Sequence, residues 1–269
     1  MNLPYDINNL GVKEVKNYSL KYESDIEKYG SEQEFLEFLK CLEEDQRKGI
    51  QDIYNKLYRA KEKFDLDCSR VKKLYEFDRN FKGIRYVAGV DEVGRGPLAG
   101  PIVGAAVILD LNHIINYIDD SKKLKEKKRE VLSKIIKESA LDYSIVEISN
   151  EEIDKYGIAT CNNEIFKRAI AGLKIKPDLI LTDGYRIKNW NGVLNKHVIK
   201  GDSKSSSIAC ASIIAKVYRD ELMKRYAENY PTYNFKKNMG YGTREHIEAI
   251  KTQGICEIHR RSFLSSLGY

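Results

Sequence analysis

Between Pro4 and Pro97 the sequence contains no proline, and glycine is sparse over the same stretch. Without these breakers, helix is the natural reading there. No Cys-x-x-Cys occurs: Cys41, Cys68, Cys161, Cys210 and Cys256 are odd in number and widely spaced. That excludes a disulfide framework and a cysteine-based zinc site, so all five read as reduced thiols, with Cys210 inside. No apolar run approaches the ~20 residues of a membrane-spanning helix. Met1–Leu10 lacks the basic-then-apolar order of a secretory leader. The expectation is a cytoplasmic chain with no membrane partner. There is no internal repeat and no low-complexity tract.

What is present describes a globular chain. With 42% hydrophobic and 32% charged residues among 269, disorder as the dominant state is excluded. The net charge of +6 is unevenly placed: residues 1–80 hold 15 basic and 17 acidic side chains, leaving 31 against 23 for residues 81–269. The basic surplus therefore belongs to the larger, C-terminal part, and it suggests an acidic partner.

Residues 1–80 read as a small all-α module. Ser31 and Glu34 have capping-box spacing, and Phe35, Leu36, Phe38, Leu39 and Leu42 form an apolar stripe. Further stripes follow at Ile50, Ile53, Tyr54 and Leu57, then at Phe64, Cys68, Val71, Leu74 and Tyr75. Residues 81–269 alternate short β-branched runs with helical stretches, the mark of an α/β domain. Strands are predicted near Tyr86–Val90, Ile102–Leu109, Asp142–Ile148, Leu179–Thr182 and, more weakly, His197–Ile199. Helices are predicted near Lys125–Ser139, Cys161–Leu173, Ser205–Asn229 and Thr243–Gln253, the third rich in small residues that allow close packing on a sheet.

The chemistry concentrates at strand ends. Asp91 and Glu92 leave an apolar strand and enter Gly94-Arg95-Gly96, and core packing cannot explain two adjacent carboxylates there, because an unpaired buried charge is costly. Asp183 ends a second apolar strand before Gly184, and Asp202 precedes the helix near Ser205. Taken alone, Asp183 also suits a simple turn. Ligands of open α/β sheets bind at strand carboxyl ends, so the four acids can converge there. Oxygen donors without a Cys/His cluster favour Mg²⁺ or Mn²⁺. One difficulty is geometric: adjacent strand residues point to opposite faces, so Asp91 and Glu92 share a site only at a bulge or strand end.

Other features point to phosphate. The glycines flanking Arg95 let backbone N–H groups approach a sugar-phosphate. Ser121 and Lys122 lead into a basic helix, where Ser121 serves either phosphate or the helix as its N-cap. Lys200 and Lys204 flank Asp202 beside a positive helix end. Tyr241, between two glycines, is either a packed turn residue or a stacking platform. His246 and His259 suit proton shuttling or, as lone histidines near basic groups, the surface.

Five ordered motifs resemble those of ribonuclease HII, the bacterial type 2 ribonuclease H, over about residues 84–264. They are Ala88 to Gly100, Asp120 to Leu124, Thr182-Asp183-Gly184, Lys200 to Asp220, and Gly240 to His246 ending in His259-Arg260-Arg261-Ser262-Phe263. Arg95 within Gly-Arg-Gly is similar to the HII branch rather than to ribonuclease HIII. Residues 1–80 are similar to an N-terminal helical extension of some Gram-positive HII enzymes. The resemblance implies a ribonuclease H-like fold, a central mixed sheet flanked by helices. It also implies a catalytic, metal-holding tetrad of Asp91, Glu92, Asp183 and Asp202. Gly94, Arg95 and Gly96 would sense a 2′-hydroxyl, Tyr241 would stack on the following deoxyribose, and Ser121, Lys122 and Ser203 would meet phosphates.

The expected activity is cleavage of RNA–DNA hybrids, and of duplex DNA 5′ to a single ribonucleotide, by a monomer. Two Mg²⁺ or Mn²⁺ ions about 3.5–4 Å apart would serve it. A DNA-specific nuclease of the same fold and a non-catalytic nucleic-acid binder are the alternatives. For the N-terminal module the reading is a helper role in holding duplex, through Arg47-Lys48 and the Arg59, Lys61 and Lys63 cluster, against a merely solvated face.

Overall fold

A computed structural model of the chain describes residues 7–269, so most of the Met1–Leu10 leader reading lies outside the described residues. The chain forms two compact units, one ending at Arg70 and one running Val71–Tyr269.

The first unit is helical: α1 (Val12–Ser24), α2 (Ile26–Tyr29), α3 (Gln33–Glu44) and most of α4 (Lys48–Arg79). Its core gathers Val15, Tyr22, Phe35, Phe38, Leu42, Ile50 and Leu57, the apolar stripes of the sequence brought together. The Ser31 capping box does not form. Glu32 takes the N-cap position of α3, and Ser31 stays exposed one residue too early. Arg47 makes its contacts within this unit. Its guanidinium pairs with Asp45 at 2.5 Å and donates to the carbonyls of Leu10 at 2.6 Å and Ile7 at 3.0 Å.

The second unit carries β1 (Val87–Val93), β2 (Ile102–Ile108), α5 (Glu126–Ser139), β3 (Asp142–Ile148), α6 (Asn150–Tyr156), α7 (Ile158–Ala171), β4 (Leu179–Asp183), β5 (Leu194–Val198), α8 (Ser206–Asn229), α9 (Phe235–Asn238) and α10 (Arg244–Gln253). The strands form one mixed sheet in the order β3-β2-β1-β4-β5, antiparallel from β3 to β1 and parallel from β1 to β5. The sheet is covered on both faces. Val103, Ala105 and Val107 pack toward α8 and α5, while Val90, Ile102 and Ala106 pack toward α7.

The small residues of α8 let it lie close to the sheet, as the composition predicts. At Gly89 a Cβ would stand 2.1 Å from the Ser207 carbonyl carbon, so only glycine fits. Cys210 is fully buried, and all five cysteines are free. Among the described residues no helix is long and apolar enough to cross a membrane.

Candidate active site

β1 and β4 place the first three acids. The strands pair in parallel up to Val90↔Thr182, so Asp91 and Asp183 are the next residues of neighbouring strands. Side chains alternate along a strand, which puts Asp91 on the α8 face with Gly89 and Glu92 on the α7 face with Val90. The alternation is obeyed, and Asp183 reconciles it: its charge acts on both Asp91 and Glu92. Asp202 comes from a single 3₁₀ turn, Gly201–Ser203, just ahead of α8. The Gly201 N–H donates to Asp183 Oδ1 at 2.6 Å, tying that turn to the end of β4.

Crowded negative charge dominates the electrostatics. Burial, followed by Glu92 and Asp183, pushes the Asp91 carboxyl well above the usual range. Burial and Asp183 raise Glu92 to about 7, against an opposing pull from Arg95. Burial, Asp120 and Asp183 raise Asp202, with Lys122 opposing. On Lys122 itself, burial works against the charge but is outweighed by Asp120, Asp91, Asp202 and Asp183, which together raise its pKa.

Carboxylates that raise one another's pKa in this way are short of positive charge. An all-oxygen donor set supplied by Asp91, Glu92, Asp183 and Asp202 fits a hard divalent cation. Among the described residues, no three His, Cys, Asp or Glu side chains stand grouped tightly enough to enclose an ion by themselves. The fit is therefore one of donor chemistry and charge.

The Gly94-Arg95-Gly96 loop is shaped from beneath by two arginines that are both 0% exposed. Arg260 donates to the carbonyls of Gly94 at 2.6 Å, Arg95 at 3.1 Å and Gly100 at 2.8 Å. Arg219 donates to Pro101 at 3.0 Å, Ala99 at 3.2 Å and Met239 at 2.9 Å. In a planar trans peptide the N–H points away from the C=O. With the Gly94 and Arg95 carbonyls turned onto Arg260, the N–H groups of Arg95 and Gly96 face the opposite way. Gly94 has φ +93°, and a Cβ there would meet Arg219 Nε at 2.2 Å. A Cβ at Gly96 would stand 4.0 Å from the ring of Tyr241, itself 44% exposed. Burial lowers both guanidinium pKa values, to about 10 for Arg219 and about 9 for Arg260, so both remain charged at neutral pH.

Most of the predicted residues meet, with changed roles for some. Ser121 is neither an N-cap nor open to a phosphate. Lys125 takes the N-cap position of α5, while the buried Ser121 hydroxyl lies 3.0 Å from Ser212 Oγ, and Ser212 in turn eases the charge on Asp91. Lys122 is exposed beside the acids, and Ser203 accepts from Lys123 at 3.4 Å. His246 and His259, read as shuttles or surface residues, are 0% and 2% exposed.

Sequence reasoning missed Asp120, Ser212, Tyr185 and the structural role of Arg219 and Arg260. The Tyr185 hydroxyl has no partner at hydrogen-bonding distance among the described residues, yet it faces Glu92 and eases its charge. No spacing rule announces a tyrosine two residues past Asp183. Arg260, by contrast, lies inside the His259-Arg260-Arg261-Ser262-Phe263 motif, which gives it no role of its own.

A mixed sheet with its acids at the ends of adjoining parallel strands, and a fourth acid on the turn that leads into α8, defines a nuclease of the ribonuclease H type. The family model described as Ribonuclease HII matches residues 88–266. The chain is 55% identical over 261 residues to a ribonuclease HII of Clostridium perfringens, covering 94% of this chain and 96% of that one. It is 54% identical over 266 residues to that of Clostridium beijerinckii, covering 97% of each. The crystal structure of ribonuclease H2 from Pyrococcus horikoshii superposes with a TM-score of 0.58 at 29% identity, over 68% of this chain and 96% of that one. The chain belongs to the ribonuclease HII family, and it is an enzyme, a nuclease of a divalent-metal-dependent family.

Proposed function

We propose that the protein, working as a monomer, cuts the RNA strand of RNA–DNA hybrids. We also propose that it cuts duplex DNA on the 5′ side of a single embedded ribonucleotide, leaving 3′-hydroxyl and 5′-phosphate ends. The observation that carries this is the placement of an acid cluster beside a loop whose N–H groups face outward, next to an exposed tyrosine. DNA cleavage alone needs the acids but no donors aimed at a 2′-hydroxyl.

Asp91, Glu92, Asp183 and Asp202 would hold Mg²⁺ or Mn²⁺. Such ions, when bound, supply positive charge to the phosphate and a more acidic water. The chain's own groups do the rest. The N–H groups of Arg95 and Gly96 donate to the 2′-hydroxyl, and Tyr241 stacks on the sugar of the following nucleotide. Lys122 offsets phosphate charge, while Ser212, with Ser121 beside it, eases the charge on Asp91. In the N-terminal unit the exposed Lys48, Arg59 and Lys63 assist by holding duplex. Arg47 does not share that role, since its guanidinium is spent internally.

The test is cleavage of a duplex carrying one ribonucleotide, with Mg²⁺ or Mn²⁺, beside an all-DNA duplex and an Asp91→Asn control. Cutting of the first substrate alone is expected, and its loss by at least about 10²-fold in the variant. Equal cutting of both duplexes overturns the reading.

A further inference from the structure

His246 sits in the first turn of α10 and His259 on the returning C-terminal segment, and both are buried. Their hydrogen bonds run in one direction. A backbone N–H can only donate, so the Cys256 N–H at 2.9 Å makes His259 Nδ1 an acceptor. The proton of neutral His259 must then be on Nε2, which lies 3.0 Å from His246 Nε2. That nitrogen is therefore an acceptor too, and the proton of His246 is on Nδ1, 2.9 Å from the Tyr241 carbonyl. The Cys256 carbonyl, 3.3 Å from His259 Nδ1, takes its proton instead from the His259 backbone N–H at 3.1 Å.

The surroundings suit neutral rings. Tyr233 and Phe235 pack edge-on to His246, and Tyr233 packs edge-on to His259 at 4.8 Å between centroids. The Tyr233 hydroxyl is turned away, donating to the Gly254 carbonyl. The Cys256 thiol lies 3.1 Å from His259 Nδ1, and burial holds it protonated. Glu151, Asp154, Lys155, Glu257 and Arg261 line the cavity on the outer side of His259. An added proton on either ring would set two donors against each other in a buried place.

We propose that His246 and His259 are a positioning pair that, as neutral imidazoles in opposite tautomers, fixes the backbone of Tyr241 and so the angle at which its ring meets the substrate sugar. This rests on the stacking role given to Tyr241 above. Two glycines flank Tyr241, so its loop needs an outside restraint. The pair supplies it, with the Arg219 bond to Met239 just upstream.

Nitrogen-15 NMR of the intact protein at neutral pH is expected to show His246 as the Nδ1–H tautomer and His259 as the Nε2–H tautomer. Imidazolium or reversed tautomers overturn the proposal. His246→Gln keeps an acceptor near Nε2 but loses the bond to Tyr241, whereas His246→Asn keeps a donor near Nδ1. The loss of one buried hydrogen bond is expected to raise KM for the single-ribonucleotide duplex about 3–10-fold in His246→Gln, with kcat within about twofold. His246→Asn is expected to stay near the wild-type KM, even if its melting temperature falls as far.

In a Tyr241→Ala background His246→Gln is expected to add nothing to KM. Equal KM effects from the two variants, following their stability, overturn the proposal, as do additive effects with Tyr241→Ala. If Tyr241→Ala alone leaves KM unchanged, the stacking role falls and the positioning role with it. That result is distinguishable from a failure of the pair alone.

Discussion

Charge has nowhere to go at His259. Burial, with His246 beside it, lowers its pKa from 6.5 to about 4. The unfolded chain thus takes up a proton that the folded chain refuses. The sign follows: stability is full above about pH 6.5 and declines as pH falls toward about 4. Denaturant midpoints at about pH 7 and about pH 5 are expected to drop more in the wild type than in His259→Gln, which has no such group to titrate. The acids carry the opposite burden, since Glu92 is raised to about 7 and gains from company of positive sign. Adding Mg²⁺ to chelator-treated protein is accordingly expected to raise the melting temperature, and to do so less in Asp183→Asn. These residue-level effects were only partly legible. Asp91, Glu92, Asp183 and Asp202 stand out because polar groups interrupt apolar runs. The histidines stand out as well, but their burial does not, because at residue 259 it depends on pairing with Ala99, far back along the chain.

At the level of elements, local signals worked where local physics decides. β3 falls on Asp142–Ile148 as read, because Tyr143, Ile145, Val146 and Ile148 favour a pleated strand. β5 starts three residues before the predicted His197, at Leu194, since pairing with β4 rather than side-chain preference sets its limits. α6 was missed although its capping box, Ser149 with Glu152, is present in the sequence. α8 depends on a partner that no spacing rule reveals. Asp78, 1% exposed near the end of α4, accepts from Ser206 Oγ at 2.6 Å and from the Ser207 N–H at 2.8 Å. It satisfies orphan donors in the first turn of the helix that covers the sheet and follows Asp202. Asp78→Ala is expected to cost about 1–3 kcal/mol, read by urea unfolding. Gly89→Ala, forced against the backbone at Ser207, is expected to cost at least about as much.

Over the whole molecule, the uneven charge takes on a division of labour. Residues 81–269 carry +8 together with the four acids, while residues 1–80, net −2, keep exposed cations at Lys48, Arg59 and Lys63. If these hold duplex, Arg59→Glu with Lys63→Glu is expected to raise KM about 3–10-fold at low salt and by less at high salt, leaving kcat unchanged. An unchanged KM would make the N-terminal unit a matter of stability.

The buried guanidiniums carry a consequence for synthesis. A growing polypeptide has all four acids once residue 202 has been added, but the carbonyls of Gly94 and Arg95 find their donor only when Arg260 arrives. Until then an unfinished chain on the ribosome carries the four acids without the guanidinium that shapes the Gly94-Arg95-Gly96 loop. The loop therefore takes its shape 58 residues after the last of the four acids has been added.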